Sequence, residues 1–168
     1  MYTNRSFNSA VAGLVLCVWT VSGFALATDK DQPVEIEADS VDINESKGTS
    51  IYQGDVEINQ GSMQLKADTV TVFYEDRKPQ KLVATGKPVR FKQLPDNAEQ
   101  YVTGKGNKLV YNINSEELIL TENAELLQGK DSFKSDRIVY DRVKARLKAG
   151  SAAQGNQRVR VSIQPKKD

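Results

Sequence analysis

Apolar and polar residues alternate one by one along most of this chain. Val34-Glu35-Ile36-Glu37-Ala38 sets the pattern, and Val41-Asp42-Ile43, Val56-Glu57-Ile58 and Met63-Gln64-Leu65-Lys66-Ala67 repeat it. It returns in Val70-Thr71-Val72, Val89-Arg90-Phe91, Leu109-Val110-Tyr111-Asn112-Ile113 and Leu118-Ile119-Leu120. Ile138-Val139-Tyr140 and Val159-Arg160-Val161-Ser162-Ile163 close the series. A period of two puts alternate side chains on opposite faces of a strand. Turn formers separate the segments: Lys47-Gly48, Gln60-Gly61, Lys78-Pro79, Asn114-Ser115, Gly129-Lys130 and Gly150-Ser151. Short strands with regular turn punctuation predict an all-β sandwich, barrel or solenoid. Asp141–Lys148 reads as a strand with Ala145, Leu147 and Ala149 on one face. The stretch Asp96–Gln100 allows a short helix.

A second, longer period is superimposed. A small residue, then Asp or Asn, a spacer, and two apolar residues two apart occur at Ala38-Asp39, Ala67-Asp68, Gly106-Asn107 and Ser135-Asp136. Gly54-Asp55, Lys87-Pro88 and Asn123-Ala124 lie between them. Such a unit cannot bury its apolar face alone and must stack on copies of itself. Asp39, Asp68, Asn107 and Asp136 read as bend residues, whose short polar side chains bond nearby backbone and let a strand turn a corner.

Residues 1–27 break the alternation. Arg5 precedes an apolar stretch from Ala10 to Phe24, and Ala25-Leu26-Ala27 forms a small-x-small site before Thr28. This is the pattern of a cleaved secretory signal, which makes residues 28–168 the mature single domain with a short basic tail at its end. Cys17 follows Leu16, and the apolar run continues to Phe24, so it is not the lipidated residue of a lipoprotein signal. Cys17 and Trp19 are the single Cys and single Trp of the chain. An exported domain without disulfides depends on its core and its hydrogen-bond ladder.

Composition narrows the chemistry. The chain has no His, which removes Ser-His-Asp and Cys-His catalysis and the commonest zinc ligand. Lys and Arg number 23 against 22 Asp and Glu, with Arg5 the one charge in the leader, so the remainder balances and offers no field for nucleic acid. No phosphate-binding glycine loop is present. Glu35, Glu37, Asp42 and Glu57 alternate with apolar residues and therefore face solvent, which argues against a carboxylate pair of the glycosidase kind. No metal site, no cofactor and no enzymatic activity are expected.

The order Asp31-Gln32-Pro33-Val34-Glu35-Ile36-Glu37-Ala38-Asp39, Tyr52-Gln53-Gly54-Asp55-Val56-Glu57-Ile58, Leu65-Lys66-Ala67-Asp68 and Gly86-Lys87-Pro88-Val89-Arg90-Phe91 resembles the LptA/OstA family of Gram-negative periplasmic lipopolysaccharide-transport proteins. The likeness runs from Gln32 to Ile163. It implies a twisted, open β-jellyroll of about sixteen antiparallel strands in the periplasm. It further implies head-to-tail stacking into a bridge between a bitopic inner-membrane component and an outer-membrane translocon. The cargo would be lipopolysaccharide, held by its lipid A acyl chains. An acyl chain costs about 0.8 kcal/mol per CH₂ exposed to water, so a carrier needs an apolar groove inside a polar shell. One-sided alternation builds that cross-section.

The expected groove residues are Val34, Ile36, Ile43, Val56, Ile58, Leu65, Val72, Phe91, Leu109, Tyr111, Leu120, Phe133 and Tyr140. Of these, the resemblance favours Val34, Ile36, Phe91 and Tyr111 as lipid contacts. The expected edges for self-association are Val34 and Ile36 at one end and Val159, Val161 and Ile163 at the other. A structural or chaperone-like envelope solenoid without lipid cargo has the same alternation, and a polysaccharide-acting enzyme is the further rival.

Overall fold

The computed structural model describes residues 29–95 and 98–165. Residues 1–28, which include the expected signal segment 1–27, together with Asp96, Asn97 and Lys166-Lys167-Asp168, lie outside the described residues. Ten strands form one antiparallel sheet: β1 (Glu35–Glu37), β2 (Ser40–Asn44), β3 (Thr49–Gln60), β4 (Met63–Glu75), β5 (Lys78–Gln93), β6 (Val102–Asn112), β7 (Glu117–Gln128), β8 (Asp131–Asp141), β9 (Arg146–Ala149) and β10 (Arg160–Ser162). The order is β1-β3-β4-β5-β6-β7-β8-β10, with β2 beside β1 along β3 and β9 beside β10 along β8. Six of the nine connections among the described strands are hairpin turns of two to four residues, as antiparallel neighbours allow, while β1–β2 and β9–β10 run on along one edge.

The bend residues explain why ten strands are found where sixteen were expected. β3 to β8 each run through a corner without ending. At every corner the register slips: Gly54 and Asp55 of β3 stand against the single residue Asp68 of β4. Gly86-Lys87-Pro88 of β5, with a cis Lys87–Pro88 bond, stand against Asn107 of β6. Glu122 and Asn123 of β7 stand against Asp136 of β8. Extra residues on one strand bend the pair and sharpen its twist. Gly54, Asp55, Glu122 and Asn123 all take positive φ, the conformation such a bulge requires. Asp39 sits at the equivalent place between β1 and β2, where its N–H donates to Gly54 O at 3.1 Å. The backbone N–H of Asn156 donates to Asp136 Oδ2, holding the Asp136 carboxyl below its ordinary value.

The aligned corners fold the sheet into two halves that face each other. The first contains β1, β10 and the segments of β3–β8 paired with them. The second contains β2, β9 and the remaining segments. Apolar residues of both halves merge in one core, including Ile58, Leu65 and Leu126 from the first and Val70, Leu109 and Ile138 from the second.

The C-terminal segments follow the same logic. β9 and β10 are one bent edge strand with Gly150–Val159 inserted at its corner. Within it Leu147 and Ala149 pack against the core as expected. Ala145 instead takes φ 47° in the β8–β9 turn, so the expected strand Asp141–Lys148 is split: Asp141 ends β8, residues 142–145 turn, and β9 begins at Arg146. Residues 98–100 form no helix.

Candidate functional site: the edge-to-edge apolar interior

Strand register arranges the inner side chains into rows perpendicular to the strands. In the first half the row is Ile36, Ile58, Leu65, Phe91, Gly104, Leu126, Phe133 and Val161. In the second half Val41, Tyr52, Val70, Ala84, Leu109, Leu120, Ile138 and Ala149 form one row. Ile43, Ser50, Val72, Leu82, Tyr111, Leu118, Tyr140 and Leu147 form the next. Each row crosses eight strands, a length of roughly 35–40 Å at about 4.8 Å per strand. Mid-row, Leu109 and Leu120 are sealed from solvent at 1% and 0% exposure. At the ends, Val41, Ile43 and Val161 are 54%, 63% and 51% exposed. The interior is thus a packed apolar strip whose two ends open at the sheet edges.

The outer face is charged in the first half, whereas in the second half its row between Asp42 and Lys148 is Ile51, Thr71, Val83, Val110, Ile119 and Val139. Glu37, Glu57, Lys66, Arg90, Lys105, Glu125, Lys134 and Arg160 form one charged row across the same eight strands. Lys66 pairs with Glu57 at 2.6 Å, and Glu125 takes Lys105 at 2.9 Å and Lys134 at 3.2 Å. A cleft of about 780 Å³ lies outside the corner, lined by residues including Lys105, Glu125, Lys134, Arg158 and Arg160. Its lining is charged, which suits water rather than acyl chains.

Comparison with known proteins bears directly on this architecture. Residues 35–146 match the family described as LptA/(LptD N-terminal domain) LPS transport protein. The chain belongs to this LPS transport family. A lipopolysaccharide export system protein, LptH of Pseudomonas aeruginosa, is 30% identical over 94% of this chain and 93% of its own length. LptA of Haemophilus influenzae, also a lipopolysaccharide export system protein, is 38% identical over 84% of this chain and 81% of its own. The crystal structure of the Pseudomonas LptH superposes with a TM-score of 0.75 at 28% identity, covering 83% of this chain and 100% of that one. This LptH is the LptA-homologous periplasmic component of the conserved lipopolysaccharide transport device of Pseudomonas aeruginosa.

Within this family member the residues expected in the groove divide by position. Val56, Ile58, Leu65, Val72, Phe91, Leu109, Leu120 and Tyr140 are buried in the core. Ile36, Tyr111 and Phe133 are half-buried and pack on its margin. Val34 and Ile43 are exposed. They lie on or beside edge strands, where no further strand covers the inner face. The expected edge residues Val159, Val161 and Ile163 are exposed as well.

Sequence reasoning missed two polar residues at the free margins of the half-sheets. Arg142 follows the inward parity of Ile138 and Tyr140, a signal that was present in the sequence. Its Nη1 donates to Tyr111 Oη at 2.6 Å, with the guanidinium 5.5 Å from the Tyr111 ring. Burial pushes the Tyr111 phenol up, and the Arg142 charge partly counters it. Asp29, from a turn before β1, accepts bonds from Ser62 N, Ser62 Oγ and Gln93 Nε2. Burial raises the Asp29 carboxyl, but the Ser62 N–H and the Gln93 amide outweigh it, with help from Arg142, and hold it below the ordinary range. No sequence pattern links Asp29 to residues more than 30 positions away.

Proposed function

We propose that this chain is a periplasmic carrier that holds lipopolysaccharide by its acyl chains between the two half-sheets and passes it along the apolar interior toward the outer membrane. One observation carries the reading: three inner rows stay apolar across nearly all eight strands and reach both edges, with a fully charged outer row behind the first half. An enzyme pocket is local and polar, whereas this strip is continuous. The roles of the relatives LptH and LptA in lipopolysaccharide export support the same assignment.

The half-sheets pack against each other, so acyl chains enter by parting their free margins. Ile36, Met63, Tyr74, Leu82, Tyr111 and Phe133 already stand half-exposed against the core. Those side chains meet lipid first, and Val56, Leu109 and Leu120 are reached as the halves separate. Val34 and Ile43 contribute where the strip opens at its end. The protein does no chemistry, and the energy for transfer comes from a partner complex at the inner membrane. Its other neighbours are an inner-membrane bitopic component and an outer-membrane translocon, with copies of this chain stacked head to tail between them.

A fluorescent apolar probe bound by the purified protein and displaced by lipopolysaccharide tests the cargo. Photocrosslinkers at Val34, Ile36, Phe91 and Tyr111 capture lipid on this reading, and those at Glu35, Glu57 and Arg90 do not. Equal capture from both faces, or a probe that lipopolysaccharide leaves in place, refutes the carrier.

A further inference from the structure

The two free edges carry a register for their own pairing, and the geometry points to a junction in which Arg160 of one copy faces Glu37 of the next while Lys148 faces Asp42. This rests on the head-to-tail reading above and specifies which residues meet.

Strand direction comes first. Eight strands in antiparallel order give the first and last opposite directions. A second copy placed end to end therefore brings β10 beside β1 in antiparallel orientation, and the alternation continues. The same count holds in the second half, where β9 meets β2. Both halves can be extended at once by one translation along the sheet, a form of strand addition at exposed edges.

Continuing each row across the junction then fixes the pairs. In the first half Val161 faces Ile36 on the inside, with Val159 opposite Ala38 and Ile163 opposite Val34. On the outside Arg160 faces Glu37. In the second half Leu147 faces Ile43 and Ala149 faces Val41 on the inside, while Lys148 faces Asp42 on the outside. Val34, Val41, Ile43, Val159, Val161 and Ile163 account for most of the exposed large apolar residues among the described ones. A single translation covers all six and matches two opposite-charge pairs, although the halves contribute independently to the fit.

The charges are also unfavourably placed within one copy. Glu37 stands directly opposite Glu57, and Arg160 directly opposite Lys134. Like charges across a strand pair are destabilising. Asp42 and Lys148 stand opposite the apolar Ile51 and Val139. A neighbouring copy gives each of the four an opposite charge. Edge charges that fit one partner and repel other registers confer specificity as much as affinity.

Charge reversal tests the register. Glu37→Lys, Arg160→Glu, Asp42→Lys and Lys148→Glu are made singly in the purified protein, and association is followed by sedimentation across a concentration series at low salt. Each single change weakens association about three- to tenfold, the range for one cross-strand charge pair turned repulsive. Glu37→Lys combined with Arg160→Glu returns it to within about twofold of the original, as does Asp42→Lys with Lys148→Glu. Glu37→Lys and Arg160→Glu melt no lower than the parent, because each removes a like-charge contact within its own copy. The out-of-row pair Glu35→Lys with Arg160→Glu does not restore association. If that pair restores it as well, the register is wrong although stacking stands. If none of the four single changes alters association, these edges meet something other than a second copy. A parent protein that stays monomeric at every concentration overturns the stacking itself.

Discussion

Leu120 fills the space that Gly104 leaves by lacking a side chain: a Cβ built on Gly104 would lie 2.7 Å from Leu120 Cδ1. Gly104 belongs to the first half-sheet, opposite Phe91 and Leu126, and Leu120 to the second, opposite Leu109 and Ile138. The contact therefore sets how closely the halves approach. Gly104→Val is expected to destabilise the fold by about 1–3 kcal/mol, the usual cost of overpacking. Leu120→Ala alone should cost about 2–5 kcal/mol. Urea unfolding of the double variant should show less loss than the two single losses added, because the smaller residue 120 admits the new side chain.

Gly54 makes the first corner. Its φ of 82° and the Asp39 side chain packed where a Cβ would stand both exclude other residues. Gly54→Ala should destabilise by about 1–3 kcal/mol. Combining it with Asp39→Ala removes the steric clash but not the backbone strain, so thermal melting should recover only in part.

Glu125 links two lysines on the outer row. The hydrogen bond from Lys105, helped by Lys134, outweighs partial burial and holds its carboxyl below the ordinary value of 4.5. A carboxyl lowered in the folded state stabilises fully above its unfolded value and ceases to do so as pH falls through its folded value. Glu125→Gln should therefore cost up to about 1 kcal/mol near neutral pH, since the lysines are exposed. The difference from the parent should be full above pH 4.5 and shrink as pH falls from there through the lowered folded value, measured by urea midpoints in a pH series.

Arg142 holds the Tyr111 phenol below where burial alone would put it. Arg142→Gln removes that charge. Ultraviolet titration of the tyrosines should show the Tyr111 phenol moving further up, together with Tyr140, whose phenol burial raises and the Arg142 charge also lowers, and only the Tyr140 part should remain in Arg142→Gln with Tyr111→Phe.

The inward faces of β3 to β8 were legible from the sequence. Val56, Ile58, Leu65, Val70, Leu109, Leu120 and Ile138 obey a period of two, and parity is a local property of extended backbone. The corner positions at Asp39, Asp68, Asn107 and Asp136 were legible as a repeated small-then-polar step, but the extra residues that bend the strands are Gly54-Asp55, Gly86-Lys87-Pro88 and Glu122-Asn123, opposite the last three. Tertiary structure decided the rest. Val41 and Ile43 alternate as cleanly as Val70 and Val72, yet the first pair is exposed and the second buried. Burial depends on how many strands flank a segment, and β2 has one neighbour where β4 has two. The strand count also lay beyond the local pattern, because a bulge can either end a strand or bend it, and only the pairing on both sides determines which. Asp29 reaches Ser62 and Gln93, and Arg142 reaches Tyr111, through contacts between residues 31 to 64 positions apart, created only when the sheet folds on itself.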